Sequence, residues 1–346
     1  MSTIGIGLIG AGFMGTTYSE TITKYCPGAR LVAIAGGTRA ADLAVRYGAA
    51  HEKDPAALIR RDDVQAVIVA TPHHTHAQYA LPAARAGKHL LIEKPMAASV
   101  ADCDAINAAV VQAGVRCAIA FTQRFRKCNV TAKRLIDEGA IGRILHIQEV
   151  ALNAGGMATL PGWQNTPENL GTLFGHGVHG IDRIRWFTGR EIRTVYARCV
   201  SLEPQVQVEG TSNLLMELDD GTVATLWESF QLPKPGFPRA GFGAWIVGEK
   251  GLIDLDAYGE LRVATGGKWE VVETQAPIDW AGKGYLDPVR IQSYRDHMED
   301  FLDAIRNNRP PRATGFDGRQ AVAVALAAYE SSRTRAEVRL DGAKSR

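Results

Sequence analysis

The six residues Gly10-Ala-Gly-Phe-Met-Gly15 constrain this chain more than any others. They follow an apolar run, Ile4–Ile9, that reads as a strand, and they open a helical pattern over 14–25. Gly10 allows a tight turn, Gly12 lets the backbone approach a pyrophosphate, and Gly15 permits close helix–strand packing. The helix N-terminus behind them favours phosphate charge. In this context the motif predicts a dinucleotide site rather than a plain tight turn.

The rest of the first third repeats the strand–helix alternation. Apolar runs at 31–35, 64–70, 89–92 and 117–120 read as strands. Between them 40–47, 76–86 and 100–113 carry helical spacing. Such alternation predicts a parallel sheet covered on both faces. The pattern changes after about Phe121. A helix is expected over 130–138, then strands at 144–151, 194–199, 212–218, 222–230, 244–247, 251–256 and 260–264. Asp219-Asp-Gly221 makes a hairpin turn between two of them. The Pro- and Gly-rich stretch 231–241 reads as a loop, and 294–307 and 318–333 as closing helices. The expected fold is α/β: a dinucleotide-binding domain over 1–122 with a parallel sheet, then an α/β domain over 123–346 with an open, mostly antiparallel sheet.

The end of the second strand bears on cofactor choice. A carboxylate there would hold the adenosine ribose 2′-hydroxyl of NAD. The sequence instead reads Ala33-Ile-Ala-Gly-Gly-Thr-Arg39, with Gly36 at the acidic position. Thr38 and Arg39 can receive a 2′-phosphate, so NADP is favoured over NAD. The alternative is that Arg39 only decorates a surface turn.

Composition narrows the setting. A net charge of +2 gives no electrostatic reason to expect nucleic acid or an anionic membrane. The five cysteines are widely spaced with no CxxC, which suits reduced thiols in the cytoplasm. No apolar run is long enough for a membrane span, and no basic segment precedes Ile4 as in a signal peptide.

Further motifs fall along the chain: Val67-Ile-Val-Ala-Thr-Pro72, Ala86-Gly-Lys-His-Leu-Leu-Ile-Glu-Lys-Pro95, Phe121-Thr-Gln-Arg-Phe125, Gly139-Ala-Ile-Gly-Arg-Ile144, Trp163, Gly171-Thr-Leu-Phe-Gly-His-Gly-Val-His-Gly-Ile-Asp182 and Thr314-Gly-Phe-Asp-Gly318. Together they closely resemble the Gfo/Idh/MocA (glucose-fructose oxidoreductase / inositol dehydrogenase) family over nearly the whole chain. The most specific mark is Glu93-Lys94-Pro95 at its distance from the glycine loop. The resemblance implies a Rossmann domain, a second α/β domain and an active site between them. It implies hydride exchange between a nicotinamide and a secondary alcohol or ketone of a sugar, cyclitol or related cyclic polyol. It also implies a homodimer or homotetramer formed through the exposed sheet face. The cofactor set expected on this basis is Gly10, Gly12, Phe13, Met14, Gly15, Thr38, Arg39, Thr71, Pro72, His76, Glu93, Lys94 and Arg124.

Residue chemistry supports the reaction independently. Lys94 follows an apolar strand at the end where open α/β sheets bind ligands. Its ammonium can bond the substrate oxygen and stabilise alkoxide character. Arg124 is expected to contact cofactor or substrate, with an inter-domain salt bridge as the alternative. The family pattern around the second glycine-rich stretch usually has an aspartate where this chain has Gly175. By the same alignment His179 is the expected proton acceptor, since imidazole titrates near neutrality. Asp182 supports that region, and His176 either replaces the missing carboxylate or points away. Trp163 can wall the substrate pocket, where an aromatic face suits the C–H side of a ring. His73, His74 and His76 with His176 and His179 raise zinc as a thought, but no HExxH or cysteine pair supports it, and no metal is expected. Alternatives left open are a dihydrodiol dehydrogenase acting on an aromatic-derived cis-diol, bound NAD used without net turnover, and an NADP-binding sensor without catalysis.

Overall fold

The computed structural model describes residues 3–238 and 241–340, and the chain divides into two compact units. The first begins with β1 (Ile4–Ile9), α1 (Phe13–Tyr25), β2 (Ala29–Ala35), α2 (Ala40–Tyr47), β3 (Ala50–Glu52), α3 (Pro55–Arg60), β4 (Ala66–Val69), α4 (His76–Arg85), β5 (His89–Ile92), α5 (Val100–Ala113) and β6 (Cys117–Ile119). The six strands are all parallel, in the order β3-β2-β1-β4-β5-β6. The strand order reverses between β1 and β4, which opens a crevice at their carboxyl ends. Strands buried on both faces need continuous apolar runs, and β1, β4 and most of β5 supply them.

The second unit contains α6 (Lys127–Asp137), β7 (Ile144–Ala154), α7 (Val178–Thr188), β8 (Ile192–Val200), β9 (Thr211–Leu218), β10 (Val223–Leu232), β11 (Phe242–Gly248), β12 (Gly251–Asp256), β13 (Glu260–Thr265) and β14 (Lys268–Thr274). With β15 (Val338–Arg339) they form a nine-stranded sheet, β14-β13-β12-β11-β7-β10-β9-β8-β15. Every neighbouring pair is antiparallel except β7 with β10. β9 alternates buried and exposed residues along most of its length, the pattern of a sheet covered on one face. The other face leaves Tyr196, Leu215 and Trp245 exposed.

After β14 the chain returns to the first unit over Ile278–Arg319. That segment carries α8 (Pro288–Arg306) and the start of α9 (Gly315–Thr334). Tyr294, Met298, Phe301 and Leu302 of α8 join Tyr18 and Ile22 of α1 and the β1 side chains in one apolar core. The return departs from the two-segment division expected at residue 122. Its physical cause is this apolar stripe on α8. The expected helix at 294 begins earlier, because Asp287 caps it and Pro288 opens it. Sequence patterns also missed α3 and the outer strands β3, β14 and β15. The expected loop 231–241 contains Arg239 and Ala240, which lie outside the described residues, and its start extends β10 to Leu232.

Candidate functional site

The first unit's site is a cradle of backbone. Gly10 has φ +112°, and a Cβ there would sit 2.5 Å from the Ala70 oxygen after β4. A Cβ at Gly15 would lie 2.1 Å from the Gly10 oxygen. At Gly12 the nearest neighbour of such an atom is the Arg39 Nη2, 3.6 Å away, so space remains in front of the turn. Gly12 is also the N-cap of α1, with no side chain capping the first N–H groups. Free donors, a helix N-terminus and room at Gly12 together fit a dinucleotide pyrophosphate.

At the end of β2, Gly36 and Gly37 both have positive φ, 80° and 82°. A carboxylate-bearing residue would be strained there, so glycine at this position has a backbone cause. Thr38 and Arg39 are exposed, and the Arg39 guanidinium reaches back towards Gly12.

Thr71 and Pro72 follow β4, and Lys94 follows β5. His76 links the two loops: its ring nitrogens lie 2.9 Å from the Pro95 oxygen and 2.9 Å from the Thr71 oxygen. Burial pulls its pKa down to about 4 against those carbonyls. The neutral ring therefore donates its single N–H to only one of the two carbonyls. His73 is buried beside it and His74 is exposed.

Glu93 is buried and accepts the Tyr18 hydroxyl at 2.8 Å and the Lys94 backbone N–H at 3.2 Å. Burial raises the Glu93 carboxyl, while the charge of Lys94 and the Tyr18 hydroxyl act to lower it. Loss of hydration lowers the Lys94 ammonium, and the Glu93 charge opposes that. Phe13, half exposed, stacks on Tyr285 at 4.6 Å, and Arg290 lies 5.0 Å over its ring. Arg290 in turn donates to the Tyr285 oxygen at 2.6 Å and the Tyr294 hydroxyl at 2.9 Å. Tyr285 and Arg290 were not among the expected site residues. The cap Asp287-Pro288 locates the helix that carries Arg290, but nothing in the sequence spacing points it at Phe13.

The second unit's site is built on the stretch 171–182. Leu173–Gly177 forms a wide π-helical turn that runs into α7, a form often found at functional sites. Its start is held by side chains. Leu173 N–H donates to Glu209 at 2.7 Å, Tyr329 donates to the same oxygen at 3.0 Å, and the Tyr329 oxygen accepts from Gly171 N–H at 3.2 Å. Thr172 donates to the fully buried Glu228 at 2.8 Å. Burial pushes the Glu209 carboxyl up to about 7. Glu209, Glu228 and Tyr329 were not expected from the sequence, because no local spacing joins them to residue 172.

His176 packs on Phe230, 4.4 Å between ring centres, and His179 meets Phe242 edge-on at 5.9 Å. The two rings therefore face different aromatic neighbours. Arg124 makes a buried bidentate pair with Asp182, Nε–Oδ2 2.8 Å and Nη2–Oδ1 2.6 Å. That fork occupies two of its donors, and both partners belong to the second unit, so the pair is not the inter-domain salt bridge given as the alternative. Arg183 and Glu149 form a second buried pair at 3.3 Å, with burial raising Glu149 to about 8 against the pull of Arg183. Trp163 lies on a short turn, Gly162–Asn165, with its ring partly exposed. Among the described residues no group of three metal-ligating side chains gathers, and no helix is long and apolar enough to cross a membrane.

Comparison with known proteins decides the family. Residues 4–121 match the family model described as "Oxidoreductase family, NAD-binding Rossmann fold", and residues 129–254 match the GFO/IDH/MocA C-terminal domain. The chain is 32% identical over 344 residues to inositol 2-dehydrogenase 2 of Saccharopolyspora erythraea, covering 96% of this chain and 94% of that protein. The chain belongs to the Gfo/Idh/MocA oxidoreductase family. Another relative is scyllo-inositol 2-dehydrogenase (NAD(+)) of Bacillus subtilis, 25% identical, covering 96% of this chain and 95% of its own length. Among solved structures, levoglucosan dehydrogenase in complex with NADH and L-sorbose superposes with a TM-score of 0.88 at 26% identity, covering 99% of this chain and 100% of that one. This Gfo/Idh/MocA member is thus a dehydrogenase acting on CH–OH groups, with an NAD-binding Rossmann domain as its first unit.

Proposed function

We propose that this enzyme oxidises, reversibly, a secondary alcohol of a cyclitol, sugar or related cyclic polyol, and that it prefers NADP(H) to NAD(H). The substrate class is supported by the relatives, whose names specify inositol and levoglucosan. The cofactor preference rests on one observation: β2 ends in two positive-φ glycines and an exposed Arg39, with no carboxylate at Gly36. NAD is the second reading, supported by the NADH held in the levoglucosan enzyme.

When bound, the nicotinamide supplies the two-electron chemistry. Lys94 donates a hydrogen bond to the reacting oxygen and stabilises its alkoxide character. His179 takes the hydroxyl proton in oxidation and returns it in reduction. His176 stands beside Gly175 and takes over the assistance a carboxylate would give there. Arg124 acts through Asp182, fixing the helix that carries His179. Trp163 offers an apolar face to the ring of the substrate. The uncovered sheet face, with Tyr196, Leu215 and Trp245, supports a homodimer or homotetramer. The cysteines, free among the described residues, support a reducing, cytoplasmic setting.

The test follows reduced nicotinamide by its near-ultraviolet absorbance while the protein meets NADP+ or NAD+ with cyclitols, sugars and aromatic cis-diols. Turnover of a cyclitol or sugar, faster with NADP+ and lowered about 100-fold or more by Lys94→Ala, is expected. Turnover of cis-diols alone would replace the substrate class. Tight cofactor binding with silence across the panel would replace catalysis by sensing.

A further inference from the structure

Tyr18 lies on α1, one turn beyond the glycine cradle, and is fully buried. A buried tyrosine hydroxyl needs a partner. Here it donates to Glu93 Oε1 at 2.8 Å, while Glu93 Oε2 accepts the Lys94 backbone N–H at 3.2 Å. The Tyr18 ring stands edge-on to Tyr294 at 6.0 Å, and Tyr294 accepts from Arg290. The hydroxyl is thereby held from behind by α8 and aimed at one oxygen of one carboxylate.

We propose that Tyr18 is a positioning residue: it holds Glu93 as an oriented anion beside Lys94, and so keeps Lys94 an ammonium. This rests on the role given to Lys94 above.

The argument turns on which form of the Glu93–Lys94 pair the site selects. Burial penalises both charges, so a dry site pulls the pair towards neutral acid and neutral amine. A donated O–H opposes this, because it stabilises the carboxylate and does nothing comparable for the acid. Arg290, Tyr294 and His76 act on the pair or on its hydroxyl donor. Arg290 acts on Glu93 from α8 and favours the anion. Burial first, then the Glu93 charge and the neighbouring Tyr294, keep the Tyr18 hydroxyl protonated and donating. His76 lies near Lys94 from α4, and with a pKa of about 4 it carries no charge at neutral pH. Tyr18 is the one hydroxyl of this set bonded directly to the carboxylate.

Tyr18→Phe removes that hydroxyl and leaves the ring in place. In cofactor-free protein, the reactivity of the Lys94 amine towards an acylating reagent is read by mass spectrometry across pH. The expected result is a rise of about tenfold at slightly alkaline pH in Tyr18→Phe, the size of one charge-assisted hydrogen bond. Glu93→Gln should raise the reactivity as well, and adding Tyr18→Phe to it should change nothing further. In turnover assays the alkaline limb of kcat should move to lower pH in Tyr18→Phe, with KM for the dinucleotide nearly constant. Unchanged Lys94 reactivity in Tyr18→Phe would overturn the proposal, as would a Tyr18→Phe effect that persists in full in Glu93→Gln. If reactivity rises but the kcat profile stays still, Tyr18 keeps its place and the catalytic role of Lys94 falls. A thermal melt identifies a variant that fails to fold, and Glu93→Gln then carries the test through its own rise.

Discussion

In the segment 10–15 a Cβ at Gly10 would lie 2.5 Å from a backbone oxygen, and one at Gly15 2.1 Å from another. In the segment 171–182 the glycines meet side chains instead: Glu209 at Gly171, Leu173 at Gly177 and Leu226 at Gly180. A Cβ at Gly175 would meet no atom within 4 Å. Backbone obstacles persist whatever the surrounding sequence, so glycine spacing alone carries the meaning of the first segment. Side-chain obstacles depend on which residues surround the turn, and two of these three, Glu209 and Leu226, lie far along the chain, so the second segment has no meaning until those partners are known. Two glycine-rich turns of similar appearance thus differ in what demands the glycine.

The largest expected effect is in the second segment. His179→Ala should lower kcat by about 100-fold or more, the usual worth of a positioned acid/base group. His176→Ala should cost about tenfold by the same measure, because it assists the proton transfer that His179 carries. Steady-state kinetics on the two variants decide it. Equal losses would mean that the two histidines share the proton, and that the different aromatic neighbours of the two rings do not separate their roles.

In the first segment the sharper test concerns the cofactor. Arg39→Ala should weaken NADP binding about 10- to 100-fold, the worth of one or two charge-assisted bonds to phosphate, and leave NAD binding nearly unchanged. Titration of intrinsic fluorescence with each dinucleotide measures both. Equal losses would place the guanidinium at the pyrophosphate beside Gly12, and NAD would become the natural cofactor.

The parallel sheet was legible because each of its buried strands is a short apolar run between helical patterns. The glycine loop was legible because its context is local: strand, turn, helix. Glu93 and Lys94 were legible as residues at a strand end, but the contact with Tyr18 spans 75 positions and leaves no spacing to read. Arg124 looked like a ligand contact from its place after the last parallel strand, and the structure ties it to Asp182, 58 positions away. α8 was legible as a helix and illegible as part of the first unit, because an apolar stripe does not say which core it joins. The edge strands β3 and β14 were missed for another reason: β14 is almost wholly exposed and lacks the apolar alternation that marks a half-buried strand.

The smallest expected effect bears most directly on the comparison. Gly175→Asp restores the carboxylate that the family pattern places in this stretch. Gly175 lies in helical backbone with no positive φ, and its Cβ direction is open. The substitution should therefore change stability by only about 0.5 kcal/mol, helix propensity favouring Asp slightly over Gly. A thermal melt with the midpoint held within a degree or two would agree with a position that sterics leave free. A fall of ten degrees would break the comparison, since Gly175 would then be as tightly required as Gly10. If the fold tolerates the substitution, the kinetic consequence has a direction. A carboxylate beside His176 raises the pKa of a nearby imidazole, so the acid limb of kcat should move to higher pH. A profile that does not move would mean that residue 175 faces away from the group that carries the proton, and that this chain lost its aspartate at no cost to the reaction.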